Sequence, residues 1–245
     1  MIISYTILHY GKEWLKWSIR SVIDQVDEAH IFYTPYPSHG HETDAINPET
    51  KEQLYAEVSD YLNNGLFWHD CNDMFPNEIW QRKFAFDSCV QRGADTILVV
   101  DADEIWDPEV LRLALFDCQR IEANYFRINM AHFWRSLKWV CYDGAMPGRI
   151  IRPNMPQSEN YLPGRVFHTG YAQTPEIIKY KMQIHGHSNE IIPGWYENKF
   201  LPWQPGMGDV HPVDHDYWNP IPYIDNGTLE RLVGDHKFWN IEMII

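Results

Sequence analysis

The feature that most constrains the fold is a run of apolar residues at 96–100, Thr-Ile-Leu-Val-Val. A strand with this sequence is apolar on both faces, which is typical of a central strand in a parallel sheet that is covered by helices. The run ends directly in Asp101, Ala102, Asp103 and Glu104. The sequence therefore predicts a buried central strand whose carboxyl end carries a cluster of carboxylates.

The residues before this strand alternate between strand and helix patterns. Apolar runs predict strands at 2–8, 30–33 and 66–68, and apolar residues at helical spacing predict helices at 12–24, 48–62 and 77–91. Such alternation predicts an α/β fold with an open, mostly parallel sheet flanked by helices, in which ligands bind beyond the carboxyl ends of the strands. The pattern becomes irregular after residue 120, so we expect a single domain, 1–245, with an irregular C-terminal lobe.

Charge and composition narrow the class of protein. The chain carries 20 Lys and Arg against 34 Asp and Glu, a net charge of −14, which disfavours a nucleic-acid partner but leaves room for a local basic groove. No apolar run approaches the roughly 20 residues of a membrane span, and the first residues lack the features of a signal peptide. We therefore expect a soluble, cytoplasmic protein. Its four cysteines show no C-x-x-C spacing and are expected to be reduced thiols.

The stretch 99–104, which reads V-V-D-A-D-E, resembles the D-x-D signature of glycosyltransferases with the GT-A fold. It is most similar to family 2 of these enzymes, in which D-A-D-E follows a hydrophobic strand. An R-x-x-A helix at 82–85 with a G-A-D turn at 93–95, and an H-x-G-Y turn at 168–171 before a basic helix, extend the resemblance. It covers residues 2–24, 78–112 and 149–182.

The resemblance implies an enzyme that transfers a hexosyl or pentosyl group from a UDP- or GDP-sugar to a hydroxyl group of a carbohydrate or other acceptor. Residues 1–120 are then the nucleotide-sugar-binding half, and 121–245 bind the acceptor and complete a metal site. Arg82 is expected at the diphosphate, with Asp101 and Arg149 as further donor contacts.

The expected cofactor is Mn²⁺ or Mg²⁺. Two carboxylates one residue apart, Asp101 and Asp103, can share a hard divalent ion, which completes its shell with substrate phosphate and water. A neutral imidazole from the C-terminal half is expected as a third ligand. His168 is the first candidate, because Gly170 in the same turn lets the backbone pass close to the diphosphate. The alternatives are His185, His187 and His211.

The chain also departs from the family pattern. It lacks the D-x-x-S-x-D stretch after the second strand, so Asp70 and Asp73, after the third strand, are expected at the nucleobase. It lacks the E-D dipeptide of the catalytic base, and Glu190 or Asp143 is expected to take the acceptor proton. Whether the reaction inverts or retains configuration stays open. Tryptophans of the stretch 193–208, such as Trp195 and Trp203, are candidates for a sugar-stacking platform.

Three other functions compete with this interpretation. A metal-dependent nucleotidyltransferase also places acidic pairs at strand ends, but it usually has an early Gly-rich phosphate loop, and none follows the first strand here. A carbohydrate-binding protein would explain the aromatic residues, but it would not need the acidic pair after the most buried strand. A glycosyltransferase that acts on modified DNA bases would share the donor chemistry, but the negative net charge disfavours binding to DNA. Isothermal titration with UDP- and GDP-sugars, with and without Mn²⁺, is the measurement that narrows these alternatives most.

Overall fold

The structure is a computed structural model that describes residues 1–37, 43–62, 64–142, 144, 146–184, 190–213 and 218–245. Its strands are β1 (Ile2–Leu8), β2 (Glu28–Tyr33), β3 (Leu66–Asp70), β4 (Thr96–Val99), β5 (Glu104–Ile105), β6 (Tyr125–Trp134), β7 (Trp139–Cys141), β8 (Gly148–Ile151), β9 (Glu159–Tyr171) and β10 (Ile221–Pro222). Its α-helices are α1 (Lys12–Val22), α2 (Lys51–Val58), α3 (Glu78–Gln91), α4 (Pro108–Arg120), α5 (Pro175–Gln183) and α6 (Thr228–Val233).

These strands form one open sheet in the order β3-β2-β1-β4-β8-β6-β7-β10. The first four of them run parallel to one another, and β8 then pairs antiparallel with β4. Beyond it β6 is antiparallel to β8 and parallel to the long strand β9, which also pairs with β5. The predicted α/β class, with an open sheet that is parallel through its N-terminal strands and flanked by helices, is confirmed.

Strand β4 lies at the centre of the sheet because its side chains are apolar in both directions. Leu98 packs on one face in a core with Trp106 and with Leu111 of α4. Ile97 packs on the other face in a core with Ala85 of α3. Each fully buried aliphatic side chain of this kind contributes about 1.5–3 kcal/mol relative to exposure. The run 96–100 is thus held between helices, and the chain leaves the sheet at Asp101.

Local capping sets where the helices around this strand begin. Asn77 caps α3, with its Oδ1 accepting the N–H of Trp80 at 3.2 Å. Asp107 caps α4, and Pro108 occupies the first turn of that helix, where a missing N–H has no cost. α3 therefore leads Arg82 toward the carboxyl end of β4.

The C-terminal lobe has an aromatic core. Trp134, Tyr171 and Trp218 pack there with Trp195 and Trp203. Trp195 and Trp203 are each only 1% exposed, so the expectation that they form a sugar-stacking platform is wrong. Their indole N–H groups donate to the carbonyls of residues 210 and 207, which places both rings in the interior.

Two further expectations concern the cysteines and the membrane. All four cysteines are free thiols, and three of them are buried. Among the residues described, no helix has both the length and the apolar character that crossing a bilayer requires.

Candidate functional site

A cleft of about 240 Å³ opens beyond the carboxyl ends of β1 and β4. This is the edge at which α/β sheets bind ligands. Residues from four parts of the chain line the cleft: 7–11 at the end of β1, Glu78 and Gln81 on α3, 101–103 after β4, and His168 with Lys181 from the C-terminal half. The fold therefore brings the D-x-D motif, the R-x-x-A helix and the H-x-G-Y turn to one place.

Asp103 is fixed to the H-x-G-Y turn through the backbone. β5 pairs with β9 so that Glu104 lies opposite His168. The carbonyl oxygen of Asp103 accepts the backbone N–H of Thr169 at 2.8 Å and its hydroxyl at 2.9 Å. As a result, Oδ1 of Asp103 lies 3.6 Å from Nε2 of His168.

His168 is oriented by a second histidine. Its Nδ1 lies 2.9 Å from Nδ1 of His132, so one imidazole donates this hydrogen bond and the other accepts it. Burial lowers the pKa of His168 well below its usual value, and His132 and Lys181 lower it further. His168 is therefore a neutral imidazole near pH 7, which is the form that binds metal ions.

Asp101 has different partners from Asp103. Nη2 of Arg82 lies 3.1 Å from its Oδ1, and Nη2 of Arg149 lies 2.8 Å from its Oδ2. Burial would raise the pKa of Asp101, but the Arg82 and Arg149 guanidinium groups outweigh it and hold the pKa well below the usual range. Both carboxylate oxygens of Asp101 are thus engaged by guanidinium groups.

Glu104 supports both Asp101 and Arg149 from the protein interior. It is fully buried and binds Arg149, whose Nε donates to its Oε1 at 3.0 Å. Its Oε2 accepts the backbone N–H of Asp101 at 3.2 Å. Burial raises the pKa of Glu104, and Arg149 offsets part of that rise. Glu104 was not among the expected site residues, although its position directly after the D-x-D motif is a signal for it.

The residues present fit a divalent ion with few protein ligands. Asp103 and His168 lie side by side in the cleft and supply one carboxylate and one neutral imidazole. This set suits Mn²⁺ better than Mg²⁺, which prefers oxygen ligands, when phosphate and water complete the shell. Among the described residues, no three His, Cys, Asp or Glu side chains converge to hold a metal on their own. Asp101 stays an expected ligand whose oxygens are shared with Arg82 and Arg149.

Lys181 is a further residue of the site and was not among the expected site residues. It projects from α5, and its Nζ lies 4.0 Å from Oδ2 of Asp103 and 4.5 Å from the centre of the Tyr171 ring. The basic helix after the H-x-G-Y turn was the signal for it. Its charge partly offsets the effect of burial, which raises the pKa of Asp103.

The start of α1 is closed to phosphate by a carboxylate of the chain itself. Oε2 of Glu49 accepts the backbone N–H groups of Gly11 at 2.6 Å and Lys12 at 2.9 Å. Glu49 is only 8% exposed. Helix N-termini in this position bind phosphate in many α/β proteins, because their free N–H groups and the helix dipole attract anions. Here Glu49 occupies that place, in agreement with the missing Gly-rich loop, and nothing in the sequence around Glu49 signalled this contact.

Other predicted residues lie apart from this group. Asp70 ends β3 and accepts from Lys51 at 2.5 Å and from the Trp68 indole at 2.9 Å, and Asp73 is exposed in the following loop. Glu190 is exposed in a turn after α5. His211 contacts the backbone of residue 213, and its ring lies edge-on to Trp218. Asp143, His185 and His187 fall outside the described residues.

No family model and no curated protein matches this chain. Among solved structures, the chain is similar to a protein of Desulfovibrio desulfuricans G20 described as a nucleotide-diphospho-sugar transferase, with 13% identity, 62% of this chain and 63% of that chain covered, and a TM-score of 0.39. It is also similar to S. aureus TarS in complex with UDP-GlcNAc, with 19% identity, 54% of this chain and 35% of that chain covered, and a TM-score of 0.38. A third similar structure is 4-diphosphocytidyl-2C-methyl-D-erythritol synthase of Anaerococcus prevotii, with 10% identity, 73% of this chain and 94% of that chain covered, and a TM-score of 0.39.

The chain thus spans less than two thirds of the length of the first two of these proteins. All three TM-scores are low. The function of this chain must therefore be inferred from its motif and from the side chains of the cleft.

Proposed function

We propose that this chain is a glycosyltransferase that moves a sugar from a UDP- or GDP-sugar to a hydroxyl acceptor. The observation that carries the proposal is the convergence of Asp101, Asp103, His168 and Lys181 on one cleft at the carboxyl edge of the sheet. A D-x-D motif alone occurs by chance in many acidic proteins. Here the motif lies beside an imidazole and an ammonium group from the C-terminal half, and these groups can bind a metal ion and a phosphate.

In this proposal the cationic side chains bind the diphosphate of the donor. Lys181 reaches into the cleft beside Asp103, and its ammonium group is a point charge that can bind a phosphate oxygen. Arg82 lies on the other side of Asp101 and presents a planar group that suits a phosphate or carboxylate. Because Glu49 fills the start of α1, the phosphates bind to these side chains instead of to helix N–H groups.

Asp103 and His168 would hold the divalent ion, with Asp101 as the third ligand expected from the motif. When bound, that ion would neutralise negative charge on the diphosphate leaving group, as a Lewis acid does. His132 keeps the His168 ring in place, and the pairing of β5 with β9 keeps Asp103 beside it. The protein therefore contributes a pre-arranged pair of ligands that needs no rearrangement.

The acceptor hydroxyl loses a proton during the transfer. We propose Glu190 or Asp143 as the carboxylate that takes it, because both follow the metal motif in the chain and come from the half that is expected to bind the acceptor. Replacement of each by its amide is the test of which one acts, with a fall in kcat at unchanged donor affinity expected for the base.

The deciding experiment measures donor binding and turnover together. Isothermal titration with UDP- and GDP-sugars is carried out with and without Mn²⁺, followed by an assay for released UDP or GDP. We expect metal-dependent binding that Asp103→Asn abolishes. Asp60→Asn, an exposed acid on the turn after α2, is the matched control and keeps wild-type binding.

A different product would redirect the assignment. A nucleotidyltransferase would release pyrophosphate from a nucleoside triphosphate and a sugar or alcohol phosphate. A protein that only binds carbohydrate would bind sugars without the nucleotide and would release nothing. Turnover at an unchanged rate in excess EDTA would contradict the metal dependence. Sugar transfer itself would still be tested by detection of the glycosylated acceptor and of released UDP or GDP.

A further inference from the structure

A second cavity of about 450 Å³ lies between α3 and the face of β1, β4, β8 and β6. It shares no described lining residue with the cleft above. Arg82 and Arg149 form the boundary, since both line this cavity and both bind Asp101, which lines the cleft. The cavity is therefore a separate space on the other side of one layer of ion pairs.

Positive charge dominates its wall. Four cationic side chains line it, Arg82, Lys83, Arg127 and Arg149, and none of the described lining residues carries a carboxylate. This concentration stands out in a chain whose net charge is −14. A concave site lined by one sign of charge focuses the electrostatic potential and attracts ions of the opposite sign.

Two of these cations are held by acids that are themselves partly exposed. Lys83 pairs with Asp87, which is 45% exposed. An exposed pair of this kind contributes less than about 1 kcal/mol, so an anion in the cavity can displace Asp87 from Lys83. Arg127 is held more firmly, because it makes a two-point contact with Glu159, which is 53% exposed, and donates to the carbonyl of Met146. An anion at Arg127 must therefore replace the carboxylate of Glu159.

The remaining wall is flat and largely apolar. Tyr5, Phe86, Tyr125 and Pro147 line it. The guanidinium group of Arg127 stands 5.1 Å above the centre of the Tyr125 ring. A Cβ atom on Gly148 would lie 1.9 Å from that ring, so Tyr125 packs against the backbone there. Such surfaces pack against the face of a ring.

We propose that this cavity is a second binding site, and that it takes a phosphate-bearing ring compound such as a sugar phosphate. The phosphate binds between Lys83 and Arg127, and the ring packs on Tyr125. The proposal does not depend on the glycosyltransferase assignment, because it rests on a wall that the cleft does not share.

The test uses glucose 6-phosphate, inorganic phosphate and glucose as probes in isothermal titration of the whole protein. We expect glucose 6-phosphate to bind more tightly than inorganic phosphate and glucose alone not to bind. Arg127→Gln should weaken both phosphate probes about tenfold. Tyr125→Ala should weaken glucose 6-phosphate and leave inorganic phosphate unchanged. Arg112→Gln, which breaks an exposed ion pair with Glu109 on α4, is the matched control.

Three results overturn the proposal. One is the absence of binding of both phosphate probes at concentrations up to about 10 mM. The second is wild-type affinity in Arg127→Gln when circular dichroism shows that the variant is folded. The third is competition by UDP together with loss of binding in Asp103→Asn, which would place the probes in the cleft. Failure of the glycosyltransferase proposal alone would leave the Arg127 and Tyr125 effects intact.

Discussion

Nη2 of Arg149 lies 2.8 Å from Oδ2 of Asp101, and the same guanidinium group binds Glu104. One side chain of β8 thus joins the first acid of the D-x-D motif to the buried acid that follows it. Asp103, between these two, has no arginine partner among the described residues and faces His168 and Lys181 instead. The two acids of the motif therefore have different physical roles.

This difference predicts unequal effects of the two asparagine substitutions on stability. Arg82 and Arg149 stabilise the charged form of Asp101 and lower its pKa in the folded state. Asp101→Asn removes this charge and leaves both arginines incompletely paired. Because the side chain of Asp101 is 25% exposed, we expect a loss of about 1–3 kcal/mol, below the value for a fully buried pair. Asp103→Asn removes a charge that burial disfavours and should change stability by less than about 0.5 kcal/mol. Urea unfolding measures both, and equal losses would contradict the distinction.

His168→Ala should raise the concentration of Mn²⁺ needed for half-maximal activity. Loss of a supporting residue around a bound metal costs about tenfold to a hundredfold in affinity, and loss of a ligand should cost at least that. The measurement is a metal titration of activity or of donor binding. His211→Ala is the companion variant. If His211→Ala shifts the titration and His168→Ala does not, the ligand is His211.

Gly170→Ala should displace Asp103 and His168 without removing either side chain. A Cβ atom at this position would lie 2.7 Å from Nε2 of His168 and 2.9 Å from Oδ2 of Asp103, which is closer than such contacts allow. We expect activity to fall and the Mn²⁺ requirement to rise at least about tenfold. Gly206→Ala, where a Cβ meets nothing within 4 Å, should keep the wild-type metal requirement despite its strained φ of +96°.

Arg82→Ala should weaken binding of the diphosphate more than that of the nucleoside. The guanidinium group of Arg82 contacts Asp101 at the edge of the cleft, and a charge-assisted hydrogen bond contributes about 1.5–3 kcal/mol. Titration with UDP and uridine, or with GDP and guanosine, gives the two affinities. An equal loss for the nucleotide and the nucleoside would mean that Arg82 acts on the fold and not on the phosphates.

The outer strands predict a pH dependence of stability. Nδ1 of His30 lies 2.8 Å from Nε2 of His69, and Nε2 of His30 lies 2.9 Å from Glu28. Burial lowers the pKa of both histidines; Arg92 lowers both further, while Glu28 partly offsets the shift of His30. Below about pH 6.5 the unfolded chain therefore binds more protons than the folded protein, and stability falls as the pH decreases.

His69→Gln removes one of these groups. Unfolding by urea between about pH 7.5 and 5.5 should show a smaller loss of stability at the acid end than in the wild type, by up to about 1.4 kcal/mol per pH unit. The slope does not vanish, because burial also lowers the pKa of His9 and His168. An unchanged slope in His69→Gln would show that the His30–His69 pair does not titrate differently on folding.

Much of the N-terminal half of the fold could be predicted from local patterns. The apolar run at 96–100 has one stable environment, the interior of a sheet covered on both faces, and β4 lies there. The first strand, Ile2–Leu8, was predicted with its observed bounds, since its apolar run ends at a Gly turn. The D-x-D acids then fall at the carboxyl edge, because the chain leaves a central strand at that edge.

Only the tertiary structure decided what each acid of the site contacts. Arg149 and Lys181 lie far from the motif in sequence, and they reach Asp101 and Asp103 because β8 pairs with β4 and α5 follows β9. The tryptophans expected at a sugar platform, Trp195 and Trp203, are buried because they pack with Trp134, Tyr171 and Trp218 in the aromatic core of the C-terminal lobe. Hydrophobic periodicity encodes which face of an element is buried, but which charges meet at a strand end depends on contacts between distant segments. Those contacts exist only once the chain has folded.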